Sequence, residues 1–359
     1  MNEKNLEQLR RELGKKDTEI LTLLNERACL SREVGEIKQQ EGLDIYDPSQ
    51  ESRVYARLRA MNGGPLPDAS VAHIFREVLS SSRALQAPTR VACLGPEASF
   101  THQATLAHFG SEVLLSPRRT IPEVFDAVER EEVSWGVVPI ENSLEGSVRE
   151  TLDRLTTTGM TIRAEVILPI SLCLLAAQQG KERIRKIYSH PHAFAQCRVW
   201  LGRQLPSVRL EPAESTAEAA RKAREEPETA AIAGPAAAAH YGLEILAKGI
   251  EDHPENRTRF LVLGRGESEP TGKDKTSILF GTPHIPGALV RALEPLSRGR
   301  VNIVSIESRP VQNRNWEYHF FLDLEGHRKE RTIAECIREV EELTSFIKVL
   351  GSYPKGDPS

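Results

Sequence analysis

Residues 256–260 read NRTRF, that is Asn256, Arg257, Thr258, Arg259 and Phe260, at the mouth of the apolar run LVLG. A hydroxyl between two guanidinium groups is either part of a solvated loop or a receptor for an anion. A second set of cations raises the same question. Residues 5–40 contain no Pro, and positions 10, 13, 17, 20, 24, 27, 31, 34 and 38 alternate by three and four, which is one face of a helix. Leu13, Ile20, Leu24 and Val34 fall on that seam and should face a core, yet Arg10, Arg27 and Lys38 fall on it too. A buried unpaired cation is costly. One such residue snorkels or pairs, here with Asp17 or Glu33; three on one seam favour an anionic ligand.

Geometry constrains that ligand. At ~1.5 Å rise per residue, Arg10 lies ~25 Å from Arg27 and ~42 Å from Lys38. Arg27 and Lys38 can converge on one small molecule through their long side chains, but Arg10 must serve another site, most simply that of a partner chain. The seam therefore predicts an intertwined helical homodimer with two shared sites, and leaves open whether dimers pair into tetramers.

The elements that position these residues fall into three regions. A second helix is expected from Pro48 to about Met61, ended by NGGPLP, and a third from an Asp68 cap through Leu85. From Arg90 short β-branched runs (RVACLG, EVLLS, SWGVVPI, IRKIYS, TAAIAG, RFLVLG) alternate with helical stretches, as in an open, largely parallel α/β sheet whose ligands sit at the strand ends. The run TIRAEVILPISLCLLAA is expected to carry the chain between two lobes. After the linker GESEPTGKD, the pieces KTSILFGT, GALVRALEPLSR, VNIVSIESR, WEYHFFLDLE, TIAECIREVEELTSF and IKVLGSYP order as βαββαβ, the ferredoxin-like arrangement. The expected domains are an all-α helical one over 1–88, a two-lobed α/β one over 89–266, and an α+β one over 273–359.

Composition excludes several classes. With 359 residues the chain exceeds one ordinary core, and 39% hydrophobic with 27% charged residues is a globular balance. A formal charge of -4 without a basic block argues against nucleic acid, and no apolar run is long enough for a membrane span or a leader. Cys29, Cys93, Cys173, Cys197 and Cys336, an odd set with no CxxC pair, read as reduced thiols of a cytoplasmic protein and not as zinc ligands. No dinucleotide-binding GxGxxG turn follows a strand, so neither cofactor nor metal is expected.

These residues carry a resemblance. LRRELGKKDTEILTLLNERACLSREVGEIK, DPSQES and FREVLSSSRALQ, over roughly residues 5–86, resemble the all-helical chorismate mutase domain. The resemblance implies Arg10 (from a partner chain), Arg27 and Lys38 on the substrate, with Asp47, Glu51, Ser82 and Gln86 completing the site. A Claisen rearrangement of chorismate needs no nucleophile, only a held conformer and stabilised charge on the breaking ether. Arg10 and Arg27 suit the carboxylates, Lys38 and Gln86 the ether oxygen, and Glu51 the hydroxyl. The family pattern has Arg where this chain has Gln50.

GPEASFTHQA (95–104), PIENSLEGSV (139–148), SHPHAFAQC (189–197), ESTAEAA (214–220) and NRTRFLVLG (256–264) are similar to prephenate dehydratase. Singly, each is an ordinary turn or helix start: Ser189 reads as a cap and STAEAA as a capping box. Five in order are specific. The resemblance implies a cleft site in which Thr258 donates a hydrogen bond or relayed proton to the departing hydroxyl and Arg259 fixes a carboxylate. Asn142, Ser189 and Gln196 then complete the polar lining.

Residues 275–359 resemble the ACT regulatory domain in its phenylalanine-sensing version, through GALVRAL and VNIVSIESRP. That implies an effector site at Gly287, Ala288, Leu289, Asn302, Glu307, Ser308, Arg309 and Pro310. Free N–H groups at the helix start would take the carboxylate of L-phenylalanine. The expected whole is a bifunctional enzyme converting chorismate to prephenate and prephenate to phenylpyruvate under phenylalanine feedback. Its rivals are a monofunctional prephenate or arogenate dehydratase with a helical dimerisation or regulatory domain, and a non-catalytic two-lobed binding protein with an amino-acid sensor.

Overall fold

A computed structural model describes residues 5–178, 180–310 and 318–356. The expected strand WEYHFFLDLE starts at Trp316 and Glu317, which lie outside the described residues. The chain divides into two compact units, one of Met1–Asp47, Val54–Thr89 and Phe109–Leu114, the other of Pro48–Arg53, Arg90–His108 and Leu115–Ser359.

The helical region holds α1 (Leu6–Glu41), α2 (Pro48–Met61) and α3 (Asp68–Gln86). Asn5 and Gln8 cap α1 reciprocally, and Gly42 ends it at φ 67, a left-handed conformation that glycine adopts freely. Asp68 is not the cap of α3. Pro67 holds that position, and the Asp68 carboxylate instead accepts from Asn62 Nδ2 at 2.6 Å. The α1 seam also departs from expectation. Leu13 (63% exposed), Ile20 (55%), Leu24 (41%) and Val34 (48%) face no core in this chain. The reason is length: α3 has 19 residues against 36 in α1, and it meets α1 at Arg27 and Gly35, in the C-terminal half.

The first α/β lobe comprises β1 (Thr89–Leu94), α4 (Phe100–Phe109), β2 (Val113–Arg118), α5 (Ile121–Glu129), β3 (Trp135–Asn142), β4 (Gly146–Ser147), α6 (Arg149–Thr157) and β5 (Thr161–Pro169). The chain then crosses to β6 (Cys173–Ala176), β7 (Lys186–Ser189), α7 (Pro191–Gln196), α8 (Arg198–Gln204), β8 (Arg209–Pro212), α9 (Thr216–Glu225), β9 (Thr229–Ala233), α10 (Pro235–Tyr241) and β10 (Glu244–Lys248). It returns as β11 (Arg257–Gly264), which inserts between β3 and β5. The sheet orders are β2-β1-β3-β11-β5 and β10-β6-β9-β7-β8.

Both sheets are mixed, not largely parallel. β1–β3, β7–β8 and β7–β9 run parallel, while β11 pairs antiparallel with both neighbours, as do β6 with β9 and β10 with β6. A strand returning from the second lobe enters the first from the opposite end, and this fixes its direction. Ser215 caps α9 through the Glu218 N–H, and fully buried Ala217, Ala219, Ala220 and Ala223 let that helix lie close on the second sheet.

The C-terminal domain is β12 (Asp274–Gly281), α11 (Ala288–Arg298), β13 (Ile303–Pro310), β14 (Tyr318–Glu325), α12 (Arg331–Leu343) and β15 (Phe346–Pro354), with sheet order β13-β14-β12-β15. One face covers its two helices through Ile278, Phe280, Leu322 and Leu324. Leu279, Phe321, Leu350 and Tyr353 of the other face join the core of the first lobe. The period of the strands thus gives this sheet two buried faces.

Candidate active sites

The NRTRF segment opens β11, and the β3–β11 register sets Thr258 opposite Asn142. Asn142 Nδ2 donates to Thr258 Oγ1 at 2.8 Å and to Asn256 Oδ1 at 3.0 Å. Its Oδ1 accepts from the backbone N–H groups of Leu144 (3.0 Å) and Glu145 (3.2 Å), so the turn after β3 fixes which way the amide points. Buried Asn256 passes the chain on, Nδ2 donating to Gln196 Oε1 at 3.1 Å, and Gln196 Nε2 donates to Glu145 Oε1 at 3.0 Å. His192 Nδ1 also contacts Glu145, and the His190 ring meets that of His192 edge-on at 4.7 Å. A polar ring therefore joins the turn of the first lobe to α7 of the second. The Thr258 oxygen accepts from Asn142, which leaves its own O–H to donate elsewhere.

Asn142, Gln196 and Thr258 are thus brought together, and Asn256, Glu145 and His192 are added to them. All three lie inside motifs singled out in the sequence, but as types they look like turn and helix-start residues. Burial, and secondly the neighbouring His192, hold the His190 imidazole below its ordinary pKa, so it is neutral at pH 7.

Two expectations are corrected. Ser189 is fully buried and its Oγ donates to the Ile232 carbonyl at 2.7 Å, tying β7 to β9; it neither lines the polar ring nor caps α7, whose N-cap is His190. Arg259 does not offer its guanidinium to the cleft. Nε is bound to Glu165 at 2.7 Å, Nη1 to Asp323 at 2.5 Å and Nη2 to the Tyr353 hydroxyl at 2.9 Å, because adjacent strand residues point to opposite faces.

In the helical region Arg27 Nη1 donates to Ser82 Oγ. A Cβ on Gly35 would lie 2.6 Å from Cγ of Gln86, so glycine there lets α3 bring Gln86 against α1. Gln86 Oε1 is buried with no hydrogen-bond partner among the described residues, and turning the amide over sets its Nε2 there as a donor that a ligand's oxygen would satisfy. Lys38 lies one turn beyond Gly35 and its Nζ donates to the carbonyls of Asp44 (3.0 Å) and Ile45 (2.8 Å). Asp47 is half-buried before α2, and Glu51 is half-buried in its first turn. Arg53 Nη1 donates to Gln50 Oε1 at 3.3 Å, setting a guanidinium beside the position where the family pattern has Arg. Arg10 is exposed on the first part of α1, far from the others.

Gly287 caps α11 at φ 78, where any side chain is strained. With Ala288 and Leu289 it lines a cavity of about 240 Å³ that also reaches Thr282, Tyr318 and Phe320. The other expected effector residues stand on or before β13, outside that lining: Asn302 donates to Glu325 (3.0 Å), Arg309 pairs with Asp153 of the first lobe (3.0 Å), and Glu307, Ser308 and Pro310 lie along the edge strand. No group of three or more His, Cys, Asp or Glu placed to hold a metal ion occurs among the described residues.

A hydroxyl held in a ring of amides between two α/β lobes, fused to a sheet that carries its own ligand-sized cavity, defines a regulated enzyme acting on a small polar molecule. The comparisons specify which. The chain matches the family models for chorismate mutase type II over residues 9–87, prephenate dehydratase over 91–268 and the ACT domain over 276–342. It is 45% identical over 354 residues to the bifunctional chorismate mutase/prephenate dehydratase of Aquifex aeolicus, covering 98% of each chain. It is 44% identical over 341 residues to that of Neisseria gonorrhoeae, covering 94% of each. Among solved structures, prephenate dehydratase from Arthrobacter aurescens in complex with L-Phe superposes with a TM-score of 0.71 at 33% identity, over 76% of this chain and 92% of that one. The chain belongs to the bifunctional chorismate mutase/prephenate dehydratase family.

Proposed function

We propose that this protein rearranges chorismate to prephenate in its helical domain, converts prephenate to phenylpyruvate in the cleft of its two-lobed domain, and is inhibited by L-phenylalanine bound to its ACT domain. The observation that carries the second activity is the 2.8 Å hydrogen bond from Asn142 Nδ2 to Thr258 Oγ1, which makes that oxygen an acceptor and leaves its O–H to donate to a ligand. In the reaction the bond from the ring to its carboxylate breaks and CO₂ leaves. The electron pair moves through the ring as it aromatises, and the C–O bond to the ring hydroxyl breaks. The departing oxygen needs one proton to leave as water. Thr258 donates a hydrogen bond that stabilises the negative charge growing on that oxygen, and the proton that completes the water comes from solvent. Gln196 and Asn256 hold the ring of amides in place.

For the mutase, Arg27 and, from a partner chain, Arg10 take the two carboxylates. Gln86 and Lys38 donate to the breaking ether oxygen, Lys38 giving up its carbonyls for it, and Glu51 takes the hydroxyl, with Asp47 and Ser82 in support. The exposed apolar seam of α1 supports a homodimer built on that helix, since Leu13 and Ile20 find cover in a second copy. Val304 and Ile306, exposed on the edge strand β13, support a second contact between ACT domains, through which Asn302 and residues 307–310 meet the effector pocket of a neighbouring copy. No helix among the described residues is long and apolar enough to cross a membrane. The test is turnover of chorismate by the purified protein, with prephenate and phenylpyruvate followed separately, with and without phenylalanine. Phenylpyruvate that appears from prephenate and falls with phenylalanine supports the reading; prephenate that persists in the absence of phenylalanine refutes it.

A further inference from the structure

Thr258 and Arg259 are adjacent on β11 and face opposite ways. Thr258 meets Asn142 in the cleft, and Arg259 enters a buried cluster shared with the ACT sheet. Four buried charges make up that cluster, and half-exposed Glu141 of β3 stands at its edge, 4.0 Å from Arg259 Nη1. Arg259 binds Glu165 of β5 and Asp323 of β14; Glu165 also binds Lys275 of β12 at 2.8 Å. Their side chains are 13%, 0%, 12% and 6% exposed for Arg259, Glu165, Asp323 and Lys275 respectively. Two cations and two carboxylates cancel, and each needs the others because an unpaired charge there would be uncompensated. Tyr353 of β15 accepts from Arg259, and Ser277 of β12 donates to Asp323. Half of the charge and both hydroxyls therefore come from the sensor domain.

Of strands β12 and β14, β14 lines the effector cavity, through Tyr318 and Phe320, and β12 runs into it at Thr282. Ser277 and Asp323 are cross-strand partners, and three residues along each strand Phe280 pairs with Phe320, whose side chain lines the cavity. At the other end of the connection, the β3–β11 register shifts between Arg259 and Phe260, a bulge at the residue that faces the sensor. A shift of β12 against β14 on effector binding must either break the Arg259 fork or carry β11 with it.

We propose that Arg259 is a positioning residue: it ties the strand bearing Thr258 to the ACT sheet, and through it the state of the sensor reaches the dehydratase hydroxyl. This rests on the dehydratase and sensor reading above.

The test uses the full-length protein and two variants outside the cleft, Tyr353→Phe and Asp323→Asn, with Arg259→Lys alongside. Tyr353→Phe keeps the packing and removes one acceptor, so it remains informative where Asp323→Asn fails to fold. Dehydratase kcat and KM are measured across phenylalanine concentration, with phenylalanine binding followed by calorimetry. Expected is a kcat at least about fivefold lower with little change in KM for prephenate, and incomplete inhibition at saturating, still measurable, phenylalanine binding. Wild-type kcat and full inhibition in Tyr353→Phe would overturn the proposal. So would an Arg259→Lys variant that raises KM alone, which would put the guanidinium on the substrate. Wild-type protein that forms no phenylpyruvate refutes the underlying reading and the inference with it, a result distinct from failure of the variants alone.

Discussion

A Cβ built on Gly35 lies 2.6 Å from Cγ and 2.8 Å from Cβ of Gln86, and 3.2 Å from its Cα. These are atoms near the backbone, so rotating the side chain does not relieve the clash and α3 must move. Gly35→Ala should lower mutase kcat by about tenfold or more and cost ~1–3 kcal/mol of stability, as overpacking does. Dehydratase turnover in the same preparation should be unchanged. Wild-type mutase activity in this variant would remove Gln86 from the site.

Arg10 is exposed and separated from Arg27 by ~25 Å of helix, so it serves another chain's site or none. On the proposed dimer, Arg10→Ala and Lys38→Ala should each lose mutase activity when expressed alone. Co-expressed and purified as mixed dimers, they should regain it at one of two sites. No recovery in verified heterodimers would show that Arg10 acts within its own chain.

His190 caps α7 by accepting from the His192 N–H at 3.4 Å, which requires an unprotonated Nδ1. Its pKa in the folded protein is lowered, first by burial and then by His192. The folded state therefore takes up the proton less readily than the unfolded one. This contribution to stability is complete above the ordinary histidine pKa and is lost as pH falls from there through the lowered folded value. Asparagine caps equally well and does not titrate. The fall in Tm between about pH 7.5 and about pH 5 should be shallower in His190→Asn than in wild type; equal slopes would show that His190 does not resist protonation.

Local signals in the chain account for most of the elements. Pro48 and the NGGPLP break bound α2, and Asn142, Gln196 and Thr258 stand within three of the five short motifs. What fails is what depends on distant chain. The α1 seam reads as buried, yet a 36-residue helix has no equal partner within one copy, so its apolar face is exposed. The direction of β11 follows from its return across two lobes, which no local pattern encodes. Ser189 is a cap-forming type and His190 is not, yet the β7–β9 contact claims the serine hydroxyl and leaves the cap to the His190 ring nitrogen. The Arg259 correction is of another kind. Its signal was present: in a strand, residues 258 and 259 cannot both face one cleft. The two guanidinium groups flanking Thr258 read as one receptor with its hydroxyl, and the period of the strand turns the hydroxyl to the face opposite them.

The central claim is that Thr258 and the helical site perform separate steps in one chain. Its most direct test is Thr258→Ala supplied with chorismate, with prephenate and phenylpyruvate measured in the same reaction. Prephenate should form at the wild-type rate and accumulate, with phenylpyruvate formation about 10²- to 10³-fold slower in kcat and KM for prephenate changed far less. Phenylpyruvate formed at a near-normal rate by this variant would contradict the account.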